Sequence, residues 1–200
     1  MSRSEEILTF WFGAPGDSPG PERMKLWFRG GEDVDREIRE RFGADLEQAR
    51  RGELNGWAET ARGRLALIIL LDQFSRNIYR GSPEAYAQDA RALELALAGL
   101  DNGQYATLGG IEQMFFVLPL EHAEDLVMQE RVLACCEAWV KSLPEALQGL
   151  GQNALGHARL HRDVIARFGR FPTRNQVLGR TSTAEEEAHV REAKAAGRPV

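Results

Sequence analysis

Seven apolar residues run without a break from Leu65 to Leu71, and a dense polar cluster follows at once. That cluster is Asp72, Gln73, Arg76, Asn77 and Arg80, interleaved with Phe74, Ile78 and Tyr79. A segment apolar on all sides predicts a buried helix that carries its charged end toward the interior. Upstream, Val34, Ile38, Phe42, Leu46 and Ala49 recur at spacings of four and three, one face of an amphipathic helix over Asp33–Arg51 that Gly52 stops. Asp35, Arg36, Arg39, Glu40 and Glu47 read as its solvated face. Ser4 is positioned to cap a short aromatic helix with Glu5 and Glu6 in its first turn, ended by Gly13. Residues 15–21 form a turn-rich connection.

Beyond Gly81, Ser82-Pro83-Glu84 reads as a capped helix start, with Tyr86, Ala90, Leu93 and Leu97 on one face. Ile111–Leu118 predicts another apolar helix, ended by Pro119. Glu121 to Asp125 opens a long helix reaching Leu143, Leu155–Phe168 gives another closed by Gly169, and Thr183 with Glu186 fits a capping box. The tail from about Gly197 reads as loose. No segment alternates polarity as a strand would. The expectation is a single all-α domain over residues 1–200, with seven or eight helices arranged as stacked helical hairpins.

A net charge of −5 argues against nucleic-acid or membrane partners. No apolar run approaches the roughly 20 residues of a membrane span, and the N-terminal stretch lacks a signal-peptide pattern. Cys135 and Cys136, adjacent on a predicted helix, point about 100° apart and do not suit a disulfide. A reduced, cytoplasmic protein is expected. The only lysines are Lys25, Lys141 and Lys194, so almost all basic groups are arginines; codon bias and forked anion recognition both account for that. The N-terminal aromatics, Trp11 and Trp27 among them, either fasten the terminus to the core or bury a homodimer interface.

Two segments echo each other. Phe74-Ser75-Arg76-Asn77 precedes Arg80, Gly81 and a helix start; Phe171-Pro172-Thr173-Arg174-Asn175 precedes Gly179, Arg180 and another. On a continuous helix Asp72, Arg76 and Arg80 share one face, as do Glu121, Asp125 and Gln129. Asp72, Arg76, Asn77, Arg80, Arg170, Arg174, Asn175 and Arg180 are therefore the candidate ligand-binding residues. They would form a cradle for a small anion bearing phosphate or carboxylate. Glu121, His122, Asp125 and His161 are the candidate catalytic groups, because histidine titrates near neutrality. The competing reading makes the same charges fold keystones, paired because buried charges must be. No third ligand accompanies His157 and His161, so no metal is expected, and no phosphate-binding loop or dinucleotide fingerprint signals a cofactor.

ILTFWFG, LALIILLDQFSRNIYRG, LPLEHAEDLVMQE and HRDVIARFGRFPTRNQVLGRTSTAEE, together with their order, resemble domain-of-unknown-function family 924. The family pattern has histidine where this chain has Thr173. The resemblance implies a tetratricopeptide-like helical fold and no established activity. It leaves open an anion-binding protein, with or without catalysis, and a peptide- or protein-binding adaptor.

Overall fold

The computed structural model describes residues 1–14, 19–28 and 30–196. Most of the 15–21 connection and the tail from Gly197 lie outside them. The described residues are helical and contain no strand, as expected, but they hold more helices than seven or eight. Some of the additional segments are single turns too short to leave a periodic pattern. The chain forms two compact units, Met1–Pro119 and Leu120–Val200.

In the first unit, α1 (Arg3–Phe12) is capped by Ser2, whose hydroxyl accepts from the Glu5 amide at 3.3 Å; Ser4 lies inside the helix. Trp11 is buried edge-on against Phe74 and Phe115, so the N-terminal aromatics fasten α1 to its own core. Next come α2 (Pro21–Phe28) and α3 (Glu32–Arg50). The predicted face of α3 buries Ile38, Phe42, Leu46 and Ala49. Asp35, expected on the solvated side, is buried as well, and Glu47 accepts from the Tyr79 hydroxyl at 2.7 Å. Both depart from the expected solvated face because polar partners from residues 77–80 reach them.

The apolar run is buried from Leu65 to Leu71, yet the helix is not uniform. It begins as α4 (Ala61–Ile68), capped by Thr60, widens into a π segment over Ile69–Phe74, and tightens again as α5 (Ser75–Ile78). A π segment rotates the residues after it relative to an ideal α-helix and often marks a special site. Because α5 ends at Ile78, Arg80 lies beyond the helix and does not continue the Asp72–Arg76 stripe.

Ser82 does not cap; its hydroxyl donates to the Tyr79 carbonyl, and Pro83–Tyr86 is a 3-10 turn before α6 (Asp89–Asp101). The buried face of α6 is Ala92, Leu95, Ala96 and Gly99, two positions round from the predicted one, because its contacts need small residues. Arg64 crosses beneath α6, hydrogen-bonding neutral acceptors: the Gln104 side chain and the carbonyls of Leu95 and Ala58. The short α7 (Gln104–Thr107) leads into α8 (Gly110–Glu121), which continues past Pro119. The proline lies in the last turn and does not end the helix as predicted.

In the second unit, Glu121 is the last residue of α8, and residues 122–125 form a turn before α9 (Leu126–Ser142). The predicted stripe Glu121–Asp125–Gln129 is therefore broken. Asp125 caps α9, accepting from the Met128 amide at 3.1 Å. Buried Gln129 donates to the carbonyls of Glu121 and Ala123, both at 2.8 Å, which fixes the turn. A longer helix than predicted, α10 (Gln148–Phe168), packs along α9 as a hairpin. Gly169 ends it with φ of 68°, a left-handed value suited to glycine. Finally, α11 (Ala184–Ala195) begins with the predicted capping box of Thr183 and Glu186.

A methyl group on Gly99 would lie 2.3 Å from Phe116 Cζ and 2.7 Å from Arg64 Cδ. Overpacking of this kind costs about 1–3 kcal/mol, more than the roughly 1 kcal/mol of helix propensity that alanine adds. Gly99→Ala should therefore lower the Tm by a few degrees in thermal unfolding followed by circular dichroism.

Candidate functional site

Asp72 has no exposed surface, and an ionised carboxylate there requires cations and hydrogen bonds. Arg76 Nη1 lies 3.1 Å from Asp72 Oδ1 and donates to the Asp72 carbonyl at 2.9 Å. The same guanidinium forks onto Asp89 at 2.9 and 3.0 Å. Burial works against the charge on Arg76, but the Asp72 and Asp89 carboxylates outweigh it and hold the group above its ordinary pKa. The next residue, Asn77, donates through Nδ2 to Asp35 at 2.8 Å, and Arg80, beyond the helix end, forks onto the same carboxylate at 2.6 and 2.9 Å. Burial pushes the Asp35 pKa up; the bonds from Arg80 and Asn77 prevail and hold it low.

A parallel scheme stands in the second unit. Glu186 is buried and accepts from Arg170 at 2.6 and 2.9 Å, from the Thr183 amide at 2.7 Å and from Asn175 at 3.3 Å. These bonds, Arg170 foremost, hold its carboxyl at about 2. Glu124 accepts from Arg180 at 2.6 and 2.9 Å and from the Phe171 amide at 2.7 Å, which ties the turn before α9 to the chain after α10. Burial opposes ionisation of Glu124, and Arg180 overcomes it.

His161 on α10 lies with Nδ1 2.9 Å from the buried Glu121 Oε1, at an angle outside that of an N–H···O bond. Its ring meets the edge of Phe171 at 5.2 Å, and the Arg174 guanidinium sits 4.5 Å from the centre of that same ring. Imidazole, carboxylate and guanidinium thus gather around Phe171. His122 is half-buried in the preceding turn.

Beside this cluster is a cleft of about 450 Å³. One wall is a single face of α11, with Glu187, Val190, Arg191 and Lys194 at helical spacing. The other carries Pro172, Thr173 and Gln176, with Ser182 between the walls. Ser182 Oγ accepts from the buried Asn175 amide at 3.0 Å, leaving its own proton available to the cleft. Neither Arg191 nor Lys194 enters an ion pair with a described residue.

Of the three stretches singled out in the sequence, two come together within Leu120–Val200: residues 121–125 and 170–180. The third, with Asp72, Arg76, Asn77 and Arg80, is satisfied by carboxylates of its own unit. Those partners come from afar in sequence, Asp35 from α3 and Asp89 from α6, which is why a surplus of arginine looked available. The cleft residues Arg191 and Lys194 belong to no motif in the sequence; they lie on the helix that the Thr183–Glu186 capping box begins. Thr173, where the family pattern has histidine, lines the cleft. Among the described residues no group of three or more His, Cys, Asp or Glu side chains could hold a metal ion. Both cysteines are free thiols, and burial pushes Cys136 up to about 12.

Arg76→Ala would strip two carboxylates of a shared cation, one of them fully buried. A loss of about 3 kcal/mol in denaturant-measured stability is expected. For Glu186, whose pKa falls from 4.5 to about 2, the stabilising contribution is complete above about pH 4.5 and disappears as pH falls toward 2. Glu186→Gln should therefore lower the Tm at pH 7 and flatten its fall between pH 4.5 and 2.5, as read by melts across that range.

No helix among the described residues is long and apolar enough to cross a membrane. A search of curated proteins finds no match. The chain is similar to the solved structure of a protein of unknown function from Agrobacterium tumefaciens, with 38% identity and a TM-score of 0.78. That likeness covers 94% of this chain and 97% of the other. Residues 7–194 match the model of a family described as a bacterial protein of unknown function, DUF924. With the match spanning nearly its whole length, the chain belongs to that family.

Proposed function

We propose that this protein binds a small anionic ligand, bearing phosphate or carboxylate, in the cleft between α11 and the turn at Pro172–Arg174. The observation that carries the reading is the pair Arg191 and Lys194, two cations without ion-pair partners among the described residues, lining a cavity of about 450 Å³ together with neutral donors. Thr173, Ser182 and Gln176 add hydroxyl and amide groups that orient an oxyanion. The arginines paired with Asp72, Asp89, Asp35, Glu124 and Glu186 are keystones in this reading, and Arg174 on Phe171 borders the site.

His161 is the group suited to proton transfer, with Glu121 beside it and its ring on Phe171, the neighbour of cleft-lining Pro172. If the ligand is also a substrate, this pair acts on it. The hairpin of α9 and α10 supports the tetratricopeptide-like arrangement as part of the proposal, and two free thiols support a cytoplasmic setting. The adaptor reading is favoured by one observation, the exposed Leu126, Val127 and Leu160. Homodimerisation stands beside it as a further expectation.

The test is a thermal-shift series with inorganic phosphate, pyrophosphate and succinate. A ligand at 100 times its Kd stabilises by about 2.7 kcal/mol. The double variant Arg191→Gln/Lys194→Gln, altered only at exposed positions, should keep its unliganded Tm and lose the ligand-induced rise. A rise that survives in the variant places the anion elsewhere.

A further inference from the structure

The first turn of α11 contains three consecutive glutamates that are used differently. Glu185 accepts from Arg167 at 2.7 Å and 3.0 Å, and Glu186 is clamped by Arg170. Among the described residues Glu187 has no ion-pair partner, although it lines the cleft and Arg191 follows one helical turn later. A surface pair at that spacing gains little from closing on itself, so both charges stay available to a ligand. The cleft is therefore bipolar, with an acid near the Ser182 end and two cations farther along.

With a rise of about 1.5 Å per residue, Arg191 stands about 6 Å and Lys194 about 10.5 Å along the axis from Glu187. Extended peptide advances about 3.3–3.6 Å per residue, so two or three residues span that interval. The apolar Val190 and Pro172 also line the cleft, while Thr173, Gln176 and Ser182 supply groups able to hydrogen-bond peptide amides.

We infer that the cleft takes a short unblocked peptide, of two or three residues. Its terminal ammonium meets Glu187, and its terminal carboxylate meets Arg191 and Lys194. This deepens the anion-binding reading and rests on it: the carboxylate is the anion, and Glu187 selects for a positive charge at the other end. An inorganic phosphate satisfies only the cationic end.

Isothermal titration calorimetry of the full chain tests this with trialanine, N-acetyl-trialanine, trialanine amide and inorganic phosphate. Trialanine should bind, and blocking either end should weaken it by about tenfold or more. Glu187→Gln should weaken trialanine by a similar factor while leaving the N-acetyl form unchanged, and its unliganded Tm should match the parent. Equal binding of the acetylated and free peptides overturns the role of Glu187 and leaves the anion site standing. Binding of phosphate without any peptide does the same. If neither peptide, phosphate nor the other anions bind, both readings fall together.

Discussion

A carboxylate withdrawn from water is tolerable only where cations and hydrogen bonds replace its hydration, and this protein buries several. Asp72 is the extreme case, wholly buried in the π segment that follows α4 and takes in the end of the apolar run Leu65–Leu71. Arg76 answers it and is shared with Asp89 from α6, so one guanidinium joins two elements. The remaining polar architecture follows the same requirement. Asp35 sits on α3 because Asn77 and Arg80 reach it, and Glu186 can start α11 in a buried position because Arg170 and Asn175 do likewise.

The asparagines of the two aromatic–arginine–asparagine stretches take similar roles, but the arginines do not correspond: Arg80 joins Asn77 on Asp35, whereas Arg170, outside the second stretch, joins Asn175 on Glu186. In each unit an asparagine amide and a forked guanidinium close on one carboxylate, although the backbone differs: helical around Asn77, a 3-10 turn before Asn175. An arginine-rich motif in such a chain therefore does not by itself mean an anion cradle. Planar forks suit buried carboxylates as well as ligands, which is how arginine differs from lysine. In the second unit Glu187, Arg191 and Lys194 line the α11 cleft outside these clamps.

The Agrobacterium protein shares this fold across nearly the full length of both chains at 38% identity. Family membership accordingly fixes the scaffold without supplying a reaction. Chemistry has to be argued from side chains, and the proposed function rests on His161 beside buried Glu121 and on the α11 cleft.

The sequence alone determined the all-helical class, the burial of Leu65–Leu71, the apolar stripe of α3, the glycine stop at Gly169 and the Thr183–Glu186 capping box. Each depends on residues within a turn or two of one another, where hydrophobic period and backbone chemistry are decisive. Tertiary structure alone decided the rest. Which face α6 buries was set by the close approach of Phe116 and Arg64 to Gly99. Whether an arginine was spare or spoken for was set by carboxylates such as Asp35, 45 positions before Arg80 and outwardly a surface residue of α3. The polar cluster after the apolar run pairs with Asp89 and Asp35, carboxylates of distant segments, and no spacing within the cluster points to either partner. Burial and partnership arise when distant segments pack, and no local spacing records them.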